Sequence, residues 1–279
     1  MVFQKMHTMK EYKNVQKLRK QGLGSKNISK ITGIPESTIE GWLFKGYLPK
    51  HFSKKYRESI LKNLAKARQK LEELRKRKLL ELYNNITKDF AYVLGALLGD
   101  GYIYFYPKGG GHIRISIRDK DFAITFFNSL RRWSGLNCRI YKYDGFWRVY
   151  SSSIVVARVM KEFDLNRLKN MSHEIISAFL RGLFDAEGNI NNRRIRFYNS
   201  ELKLINLVKM LLKEIGIKNI YVYKRDKEVH FIGGREFSVK KLYTLEFGRR
   251  RNLEIFFNKI NFSIKRKQEK LKQALDSYK

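Results

Sequence analysis

Cysteine is nearly absent from this sequence, since only Cys138 among 279 residues carries a thiol. A disulfide within the chain and a zinc site built from several cysteines are therefore excluded. Membrane-spanning segments are also missing, because the longest apolar stretch, at about residues 91–98, is too short to cross a bilayer. Together these absences predict a cytoplasmic, intracellular protein with no membrane partner.

Acidic residues are scarce relative to basic ones: 26 Asp and Glu stand against 59 Lys and Arg, a formal net charge of +33. A charge of this size repels itself within a compact fold and favours an anionic partner. We therefore expect the protein to bind double-stranded DNA and to be associated with the nucleoid. RNA remains an open alternative, because basic charge alone does not distinguish the two nucleic acids.

The first part of the chain predicts a small helical domain. Three helical segments lie within residues 10–48, with Gly22 and Gly33 at the ends of the first two. Two short helices joined by a tight turn are typical of a helix-turn-helix. The segment GIPESTIEGW, residues 33–42, resembles resolvase-like and homeodomain-like helix-turn-helix sequences. This resemblance implies that Ser37, Thr38 and Lys45 lie near the major groove; a three-helix cap without DNA contacts is the alternative.

A long basic helix is predicted next, because residues 53–83 contain neither proline nor glycine. Its apolar residues recur at alternating steps of four and three and form one stripe: Ile60, Leu64, Ala67, Leu71 and Leu74. The stripe is short for a coiled coil, so we favour a helix that packs on the following domain or tethers the first domain to it.

From about residue 87 the sequence repeats itself. Residues 113–143 align with residues 195–225, so that Gly135 matches Gly216 and Arg114 matches Arg196. Each segment reads as a strand, an amphipathic helix, a glycine and another strand. The repeat predicts an α+β fold made of two pseudo-twofold-related halves with antiparallel sheets. The predicted domains are residues 1–50 (helix-turn-helix), 51–86 (basic linker helix), 87–168 (first half) and 169–279 (second half with a basic C-terminal helix).

Each half also contains an apolar helix that ends in an acid followed by glycine: AYVLGALLGDG ends at Asp100, and SAFLRGLFDAEG ends at Glu187. A carboxylate is unfavourable at the C-terminal end of a helix dipole. Small residues spaced by four, such as Gly95 and Gly99 or Gly182 and Ala186, give each helix a face for close packing. Packing of these faces would bring both acids together with free backbone carbonyls. Such oxygen ligands favour Mg²⁺, whereas a single acid–glycine pair would indicate only a turn.

The segments VLGALLGDG (93–101) and LRGLFDAEG (180–188) resemble the two motifs of the LAGLIDADG homing endonucleases, in their monomeric, double-motif, archaeal-type form. The resemblance implies two αββαββα half-domains with the motif helices at their interface. It also implies a site-specific DNA endonuclease that uses Mg²⁺ or Mn²⁺, cuts both strands and serves intron homing. Asp100 and Glu187 would be the catalytic, metal-binding acids, with the carbonyls of Gly99 and Ala186 as further ligands.

The family's basic or polar residue that assists the attacking water is not identified by the motifs. Arg118 and Asn199 stand at equivalent strand ends, and Lys241 is a looser candidate. Polar side chains that alternate along the predicted strands are candidates for DNA contacts. They are Tyr102, Tyr104, Arg114, Ser116, Arg118, Asn189, Arg194, Arg196, Tyr198, Tyr223 and Arg225. Arg249, Arg250 and the basic residues of 265–273 are better suited to phosphates or solvent.

Two other functions use the same fold. One is a catalytically silent DNA-binding transcription regulator, against which the presence of both acids argues. The other is an RNA maturase that assists intron splicing, which the sequence does not separate from a nuclease.

Overall fold

The computed structural model describes residues 7–47, 54–107, 109–226, 228–232, 235–239 and 241–278. The chain divides into two compact units, residues 1–74 and 75–279, and each has its own buried apolar cluster. Among the described helices, none combines the length and apolar character needed to traverse a bilayer. The domain boundaries expected from the sequence at residues 50, 86 and 168 stay predictions.

The first unit contains three short helices, as the sequence predicts: α1 (Met9–Lys20), α2 (Ser25–Thr32) and α3 (Glu36–Leu43). Thr8 and Glu11 form a capping box at the start of α1, which satisfies backbone N–H groups that have no partner within the helix. Gly33 ends α2 with a positive φ of 69°, a conformation that favours glycine. The small core is formed by Val15, Ile28, Ile34, Ile39 and Trp42.

A single long helix, α4 (Lys54–Asn84), follows. The expected helix is confirmed, but Leu64, Leu71 and Leu74 of its predicted stripe are exposed. The side chain of Ile60, also part of that stripe, lies outside the described residues. Near the end of α4, Leu82 is buried in the core of the second unit.

The first half of the second unit follows the predicted αββαββα order. Its elements are α5 (Lys88–Asp100), β1 (Gly101–Phe105), β2 (Gly111–Ile117), α6 (Lys120–Ser134), β3 (Arg139–Tyr143), β4 (Phe146–Ser151) and α7 (Ile154–Glu162). The four strands form an antiparallel sheet in the order β1-β2-β4-β3, hereafter sheet A. A 3-10 helix at Leu165–Asn170 leads into the second half.

The second half repeats this order with an insertion. Its elements are α8 (His173–Glu187), β5 (Gly188–Asn191), β6 (Arg194–Asn199), α9 (Leu202–Ile215), β7 (Tyr221–Arg225), β8 (Glu228–Ile232), β9 (Arg235–Val239), β10 (Leu242–Phe247), α10 (Arg250–Ile255), which continues as a π-helical turn at Phe256–Ile260, and α11 (Lys265–Asp276). Sheet B has the order β5-β6-β10-β7, which matches that of sheet A. The β8–β9 hairpin has no counterpart in the first half, where β3 and β4 are joined by the tight turn at Asp144 and Gly145. The predicted α+β fold of two related halves is confirmed.

Strand alternation leaves one face of each sheet free. Along β2, Ile113, Ile115 and Ile117 are buried, whereas Arg114 and Ser116 point away from the core. The helices cover the buried face with apolar side chains, for example Phe122 and Phe126 of α6. The outer faces therefore carry polar and aromatic residues that are not needed for the core.

Candidate metal and nucleic-acid site

The two motif helices, α5 and α8, pack backbone against backbone. A Cβ atom at Gly95 would overlap the carbonyl oxygen of Phe179, and one at Gly182 would overlap that of Tyr92. Nearer the C-terminal ends of the two helices, a Cβ at Gly99 would overlap Ala186 and lie 3.1 Å from Cγ of Glu187. The close approach predicted from the spacing of small residues is confirmed. It brings the C-terminal ends of both helices to one place.

Each motif helix ends in an acid, and the chain enters a strand at the next residue. Asp100 is the last residue of α5 and Glu187 the last of α8. The glycines that follow, Gly101 and Gly188, have extended backbones with φ of −89° and −88°. A Cβ at either glycine would overlap the preceding turn of helix, at Leu97 or Phe184. Glycine is thus required here for space rather than for a left-handed conformation.

Burial and neighbouring charges raise the pKa of both carboxylates. The pKa of Asp100 is raised because the surrounding protein displaces water, an effect that Lys267 partly offsets. The pKa of Glu187 is raised first by desolvation and then by the negative charge of Asp100, again against Lys267. Two desolvated acids, one of which is further disfavoured by the charge of the other, favour a bound cation.

The oxygen donors at this place fit Mg²⁺. Within the part of the chain that the structure describes, no group of three or more His, Cys, Asp or Glu could hold a metal. Magnesium commonly uses one or two carboxylates and takes its other ligands from water and substrate phosphates, whereas calcium and structural zinc need more protein ligands. Two carboxylates at the ends of two helices in contact match the magnesium pattern, and the carbonyls of Gly99 and Ala186 stay predicted ligands.

Asp185, two residues before Glu187, is buried and forms hydrogen bonds within the protein. It is 2% exposed and accepts hydrogen bonds from the Tyr92 hydroxyl (2.8 Å) and from the backbone N–H (2.8 Å) and hydroxyl (2.5 Å) of Ser263. Burial raises its pKa, and these hydrogen bonds oppose the rise. Its equivalent in the first motif, Leu98, is exposed. The two halves therefore differ next to their acids.

Lys267 of α11 is buried under the end of α8. Its ammonium donates to the carbonyl oxygens of Phe184 (3.0 Å), Asp185 (2.7 Å) and Gly188 (2.7 Å). Burial lowers its pKa to about 8, against the attraction of Asp185. The expectation that residues 265–273 meet phosphates or solvent is wrong for Lys267, which is 5% exposed. The sequence did carry a signal, because Ile264 and Leu271 place an apolar stripe on the same helix face.

The segment Ser263–Lys267 also contacts the first half. Arg266 pairs with Asp119 through two hydrogen bonds of 2.8 Å, and the backbone N–H of Lys265 donates to Asp121 at 3.1 Å. Asp119 and Asp121 lie at the start of α6. One short stretch of chain therefore connects α6 of the first half with the motif helix of the second.

On the flank of Glu187, a cavity of about 920 Å³ is lined by Leu98, Gly99, Glu187 and Asn199, among others. Asn199 accepts a hydrogen bond from the backbone N–H of Glu201 at 2.9 Å. The structure thus places Asn199 in the same cavity as Glu187. Arg118 is exposed with its guanidinium 5.3 Å from the ring centre of Phe146, and the ammonium of Lys241 lies 5.0 Å from that of Tyr243.

Sheet A presents an aromatic and basic outer face. The outward positions of its four strands are Tyr102, Tyr104, His112, Arg114, Ser116, Arg139, Tyr141, Tyr143, Phe146, Arg148 and Tyr150, with no acid among them. The guanidinium of Arg114 lies 5.5 Å from the ring centre of Tyr102, and that of Arg148 lies 4.3 Å from Tyr143. His112 and Tyr150, whose rings are 5.1 Å apart, were not expected from the sequence to be part of this face.

Sheet B presents a more polar outer face. Its outward positions are Asn189, Asn191, Arg194, Arg196, Tyr198, Tyr221, Tyr223, Arg225, Leu242, Thr244 and Glu246. Glu246 was missed by the sequence reasoning, although it pairs with both Arg194 and Arg196. Between β10 and α10, Arg249 has a positive φ of 72°, and Arg250 at the start of α10 pairs with Glu254 at 2.9 Å.

Of the residues predicted at the DNA groove in the first unit, Ser37 and Lys45 are exposed and Thr38 is half-buried. All three belong to α3 or to the residues just after it. They stay predicted contacts.

Comparison with known proteins gives two family matches that together span both halves. A LAGLIDADG-like domain matches residues 174–261, and a WhiA LAGLIDADG-like domain matches residues 90–163. The uncharacterized protein MJ0398 of Methanocaldococcus jannaschii is 31% identical over 199 residues, which cover 68% of this chain and 73% of that protein. The homing endonuclease I-DmoI of Desulfurococcus mucosus is 27% identical over 151 residues, covering 48% of this chain and 74% of its own.

Among solved structures, I-DmoI in complex with DNA and Ca has a TM-score of 0.49 and 20% identity, covering 68% of this chain and all of the other. Full-length DUF199/WhiA has a TM-score of 0.44 and 16% identity, covering 73% of this chain and 66% of its own.

Proposed function

The chain belongs to the LAGLIDADG family, and from this premise we propose that it is a site-specific endonuclease that hydrolyses both strands of a DNA duplex with a divalent metal ion. The observation that carries the proposal is the convergence of Asp100 and Glu187 at the ends of two helices in backbone contact. Burial makes both acids costly to ionise, and the charge of Asp100 adds to that cost for Glu187, so the pair is unfavourable without a partner of opposite charge. A cation bound by both carboxylates beside a phosphodiester would explain why the two acids lie together.

In the proposed reaction, Asp100 and Glu187 would hold Mg²⁺ or Mn²⁺, and the carbonyls of Gly99 and Ala186 would be further ligands. When bound, the metal activates water and stabilises the leaving oxygen of the phosphodiester. Asn199 would orient a water molecule; its position in the cavity that Glu187 also lines supports this role. Arg118, next to the corresponding strand end of the first half, and Lys241 are the other candidates for this role.

The outer faces of sheets A and B are the proposed DNA-binding surface. Tyr102, Tyr104, Arg114 and Ser116 on sheet A, and Asn189, Arg194, Arg196, Tyr198, Tyr223 and Arg225 on sheet B, would contact base edges or phosphates. Arginine and asparagine suit base edges in the major groove, where every base pair has a distinct pattern of donors and acceptors. Arg249 and Arg250 would contact phosphates.

The first unit would add contacts outside the central site. We propose that α3 enters the major groove as the second helix of a helix-turn-helix, with Ser37, Thr38 and Lys45 on the DNA side. More contact surface reads more base pairs, which suits an enzyme that cuts rarely. Such an enzyme would serve the mobility of an intron.

A second candidate function is a DNA-binding regulator without nuclease activity. The match of residues 90–163 to a WhiA LAGLIDADG-like domain favours it. The two acids favour the nuclease, because binding alone does not require paired carboxylates at the end of the motif helices.

The test separates binding from cutting. The full chain is incubated with a pool of DNA duplexes in Mg²⁺, and the same pool is used in Ca²⁺ to measure binding. We expect double-strand cleavage that falls at least about a thousandfold in Asp100→Asn and Glu187→Gln while binding persists. Glu162→Gln, a change at an exposed acid at the end of α7, is the matched control and should cut like the parent.

Specific duplex binding with no cleavage in Mg²⁺ or Mn²⁺ would contradict the proposed nuclease and support the DNA-binding regulator. Preference for a structured RNA over every duplex would overturn both.

A further inference from the structure

Glu246 is an exception on the outer face of sheet B. Among the outward positions of β5, β6, β7 and β10, all of which the structure describes, it alone is acidic. Its side chain is only 8% exposed, although it points away from the core. A carboxylate on the proposed DNA-binding surface repels phosphates, so the presence of Glu246 there requires an explanation.

Glu246 accepts hydrogen bonds from two arginines at once. Its Oε1 accepts from Nη1 of Arg194 at 2.8 Å, and its Oε2 accepts from Nε of Arg196 at 2.5 Å. Arg196 is its direct cross-strand neighbour, while Asn189 lies beyond Arg196 and Tyr221 beyond Glu246 in the same row. Although burial alone would raise the pKa of Glu246, the hydrogen bonds from Arg196 and Arg194 lower it, so the carboxylate is ionised at neutral pH.

The geometry fixes how Arg196 can meet a ligand. Arg196 donates to the carboxylate through Nε, and its side chain also forms a hydrogen bond with Tyr198. The N–H groups of its terminal amino groups that these contacts leave over are the ones that can meet a ligand. Two such N–H groups are the pair that guanine accepts at O6 and N7 in the major groove. An arginine whose charge is already balanced by a carboxylate is also drawn less strongly to phosphates, which favours a contact with a base.

The equivalent place in the first half is built differently. Arg114, the repeat partner of Arg196, faces Tyr150 across the strands where Arg196 faces Glu246. Its guanidinium rests on the ring of Tyr102, 5.5 Å from the ring centre. A ring contact does not fix the rotation of the guanidinium, whereas hydrogen bonds to a buried carboxylate do.

We propose that Glu246 is a specificity-determining residue, which orients Arg194 and Arg196 so that the half-site under sheet B is read through guanine. This inference rests on the proposed DNA-binding function. It assigns a strict guanine preference to one half-site and leaves the half-site under sheet A, read by Arg114 and neighbouring tyrosines, more tolerant.

The experiment is a selection of bound duplexes from a randomised pool in Ca²⁺. The parent should enrich guanine at one or two positions of one half-site. Glu246→Gln keeps the shape but not the charge, and should reduce that preference about tenfold or more. Because the variant loses one negative charge, its affinity for non-specific DNA should be equal or higher. Preferences in the other half-site should not change.

A double-mutant cycle separates orientation from a general structural effect. Arg196→Met should abolish the same guanine preference, and adding Glu246→Gln to it should cost nothing further at that position. Arg114→Met is the matched control, because it should alter only the other half-site. Thermal melting confirms that each variant is folded.

Two results would overturn the inference alone: Glu246→Gln with an unchanged guanine preference, or with an equal loss in both half-sites. A parent protein that enriches no duplex would overturn the proposed function and this inference with it.

Discussion

Gly95 and Gly182 each lie against a backbone carbonyl of the opposite motif helix, Gly95 against Phe179 and Gly182 against Tyr92. The two glycines and the two carbonyls are related by the same shift of 87 residues, from 95 to 182 and from 92 to 179. The pseudo-twofold axis therefore passes between these contacts. Because these contacts fix the two helices against each other, they also fix the positions of Asp100 and Glu187 at the helix ends.

Adding a methyl group at this contact should be severely destabilising. Gly95→Ala or Gly182→Ala places a Cβ where backbone atoms already are, and backbone cannot move aside as a flexible side chain can. We expect a loss of about 3 kcal/mol or more in the free energy of unfolding, measured by urea denaturation of the second unit. Leu98→Ala on the same helix is the control, because Leu98 is exposed and should cost less than about 1 kcal/mol. Equal effects of the two substitutions would contradict the close helix contact.

Neutralising either of the proposed catalytic acids, Asp100 or Glu187, should stabilise the metal-free protein at neutral pH. The pKa values of Asp100 and Glu187 are raised in the fold, so folding favours the protonated acids and stability declines as pH rises through those values. In EDTA at pH 7, Asp100→Asn and Glu187→Gln should melt about 1–3 °C above the parent. The difference should vanish below the pKa of the unfolded acids, where the parent is protonated too. Mg²⁺ should raise the melting temperature of the parent alone, and an equal rise in the variants would argue against these acids as ligands.

Lys267 should be needed for the integrity of the motif helix end. Lys267→Met removes the donor to three buried carbonyls, which we expect to cost about 1–3 kcal/mol at pH 7. Lys272→Met on the same helix is exposed and should be neutral. Because the pKa of Lys267 is lowered to about 8 in the fold, the unfolded chain binds more protons between that pH and about 10.4. The parent should therefore gain stability relative to Lys267→Met across this window, and a flat difference would show that Lys267 does not titrate there.

The buried carboxylate of Asp185 should depend on its hydroxyl donors. Tyr92→Phe removes one of them and leaves Asp185 with the two donors of Ser263, so we expect a loss of about 1–2 kcal/mol. Tyr104→Phe, a similar change at a partly exposed ring on sheet A, should have little effect on unfolding. Near-identical urea midpoints for the two variants would show that the hydrogen bond to Asp185 contributes nothing.

Features with a local pattern could be predicted from the sequence. The repeat, the alternating strands and the small residues spaced by four each have a period, and the acid–glycine pairs follow directly from the motif helices. These patterns gave both half-domains, the contact of α5 with α8 and the convergence of Asp100 with Glu187. The roles of Arg118, Asn199 and Lys241 stay predictions, because no pattern relates a strand end to a water molecule.

Features that depend on distant contacts could not be predicted in this way. Lys267 binds backbone carbonyls, which every residue has, so its partners leave no trace in the sequence. Glu246 reads as an ordinary alternating polar residue, and only the register of β10 with β6 places it between two arginines. The β8–β9 hairpin lies where the first half has a tight turn, and the repeat alignment ends before it.

The occurrence of both halves in one polypeptide has an evolutionary consequence. In a homodimer every substitution appears twice, so the two surfaces stay identical and match palindromic targets. Here Glu246 and Tyr150 occupy corresponding places in the two halves, yet they differ. They can differ because each half has its own codons within the gene. Each half can drift towards its own sequence, and an asymmetric target is the natural outcome.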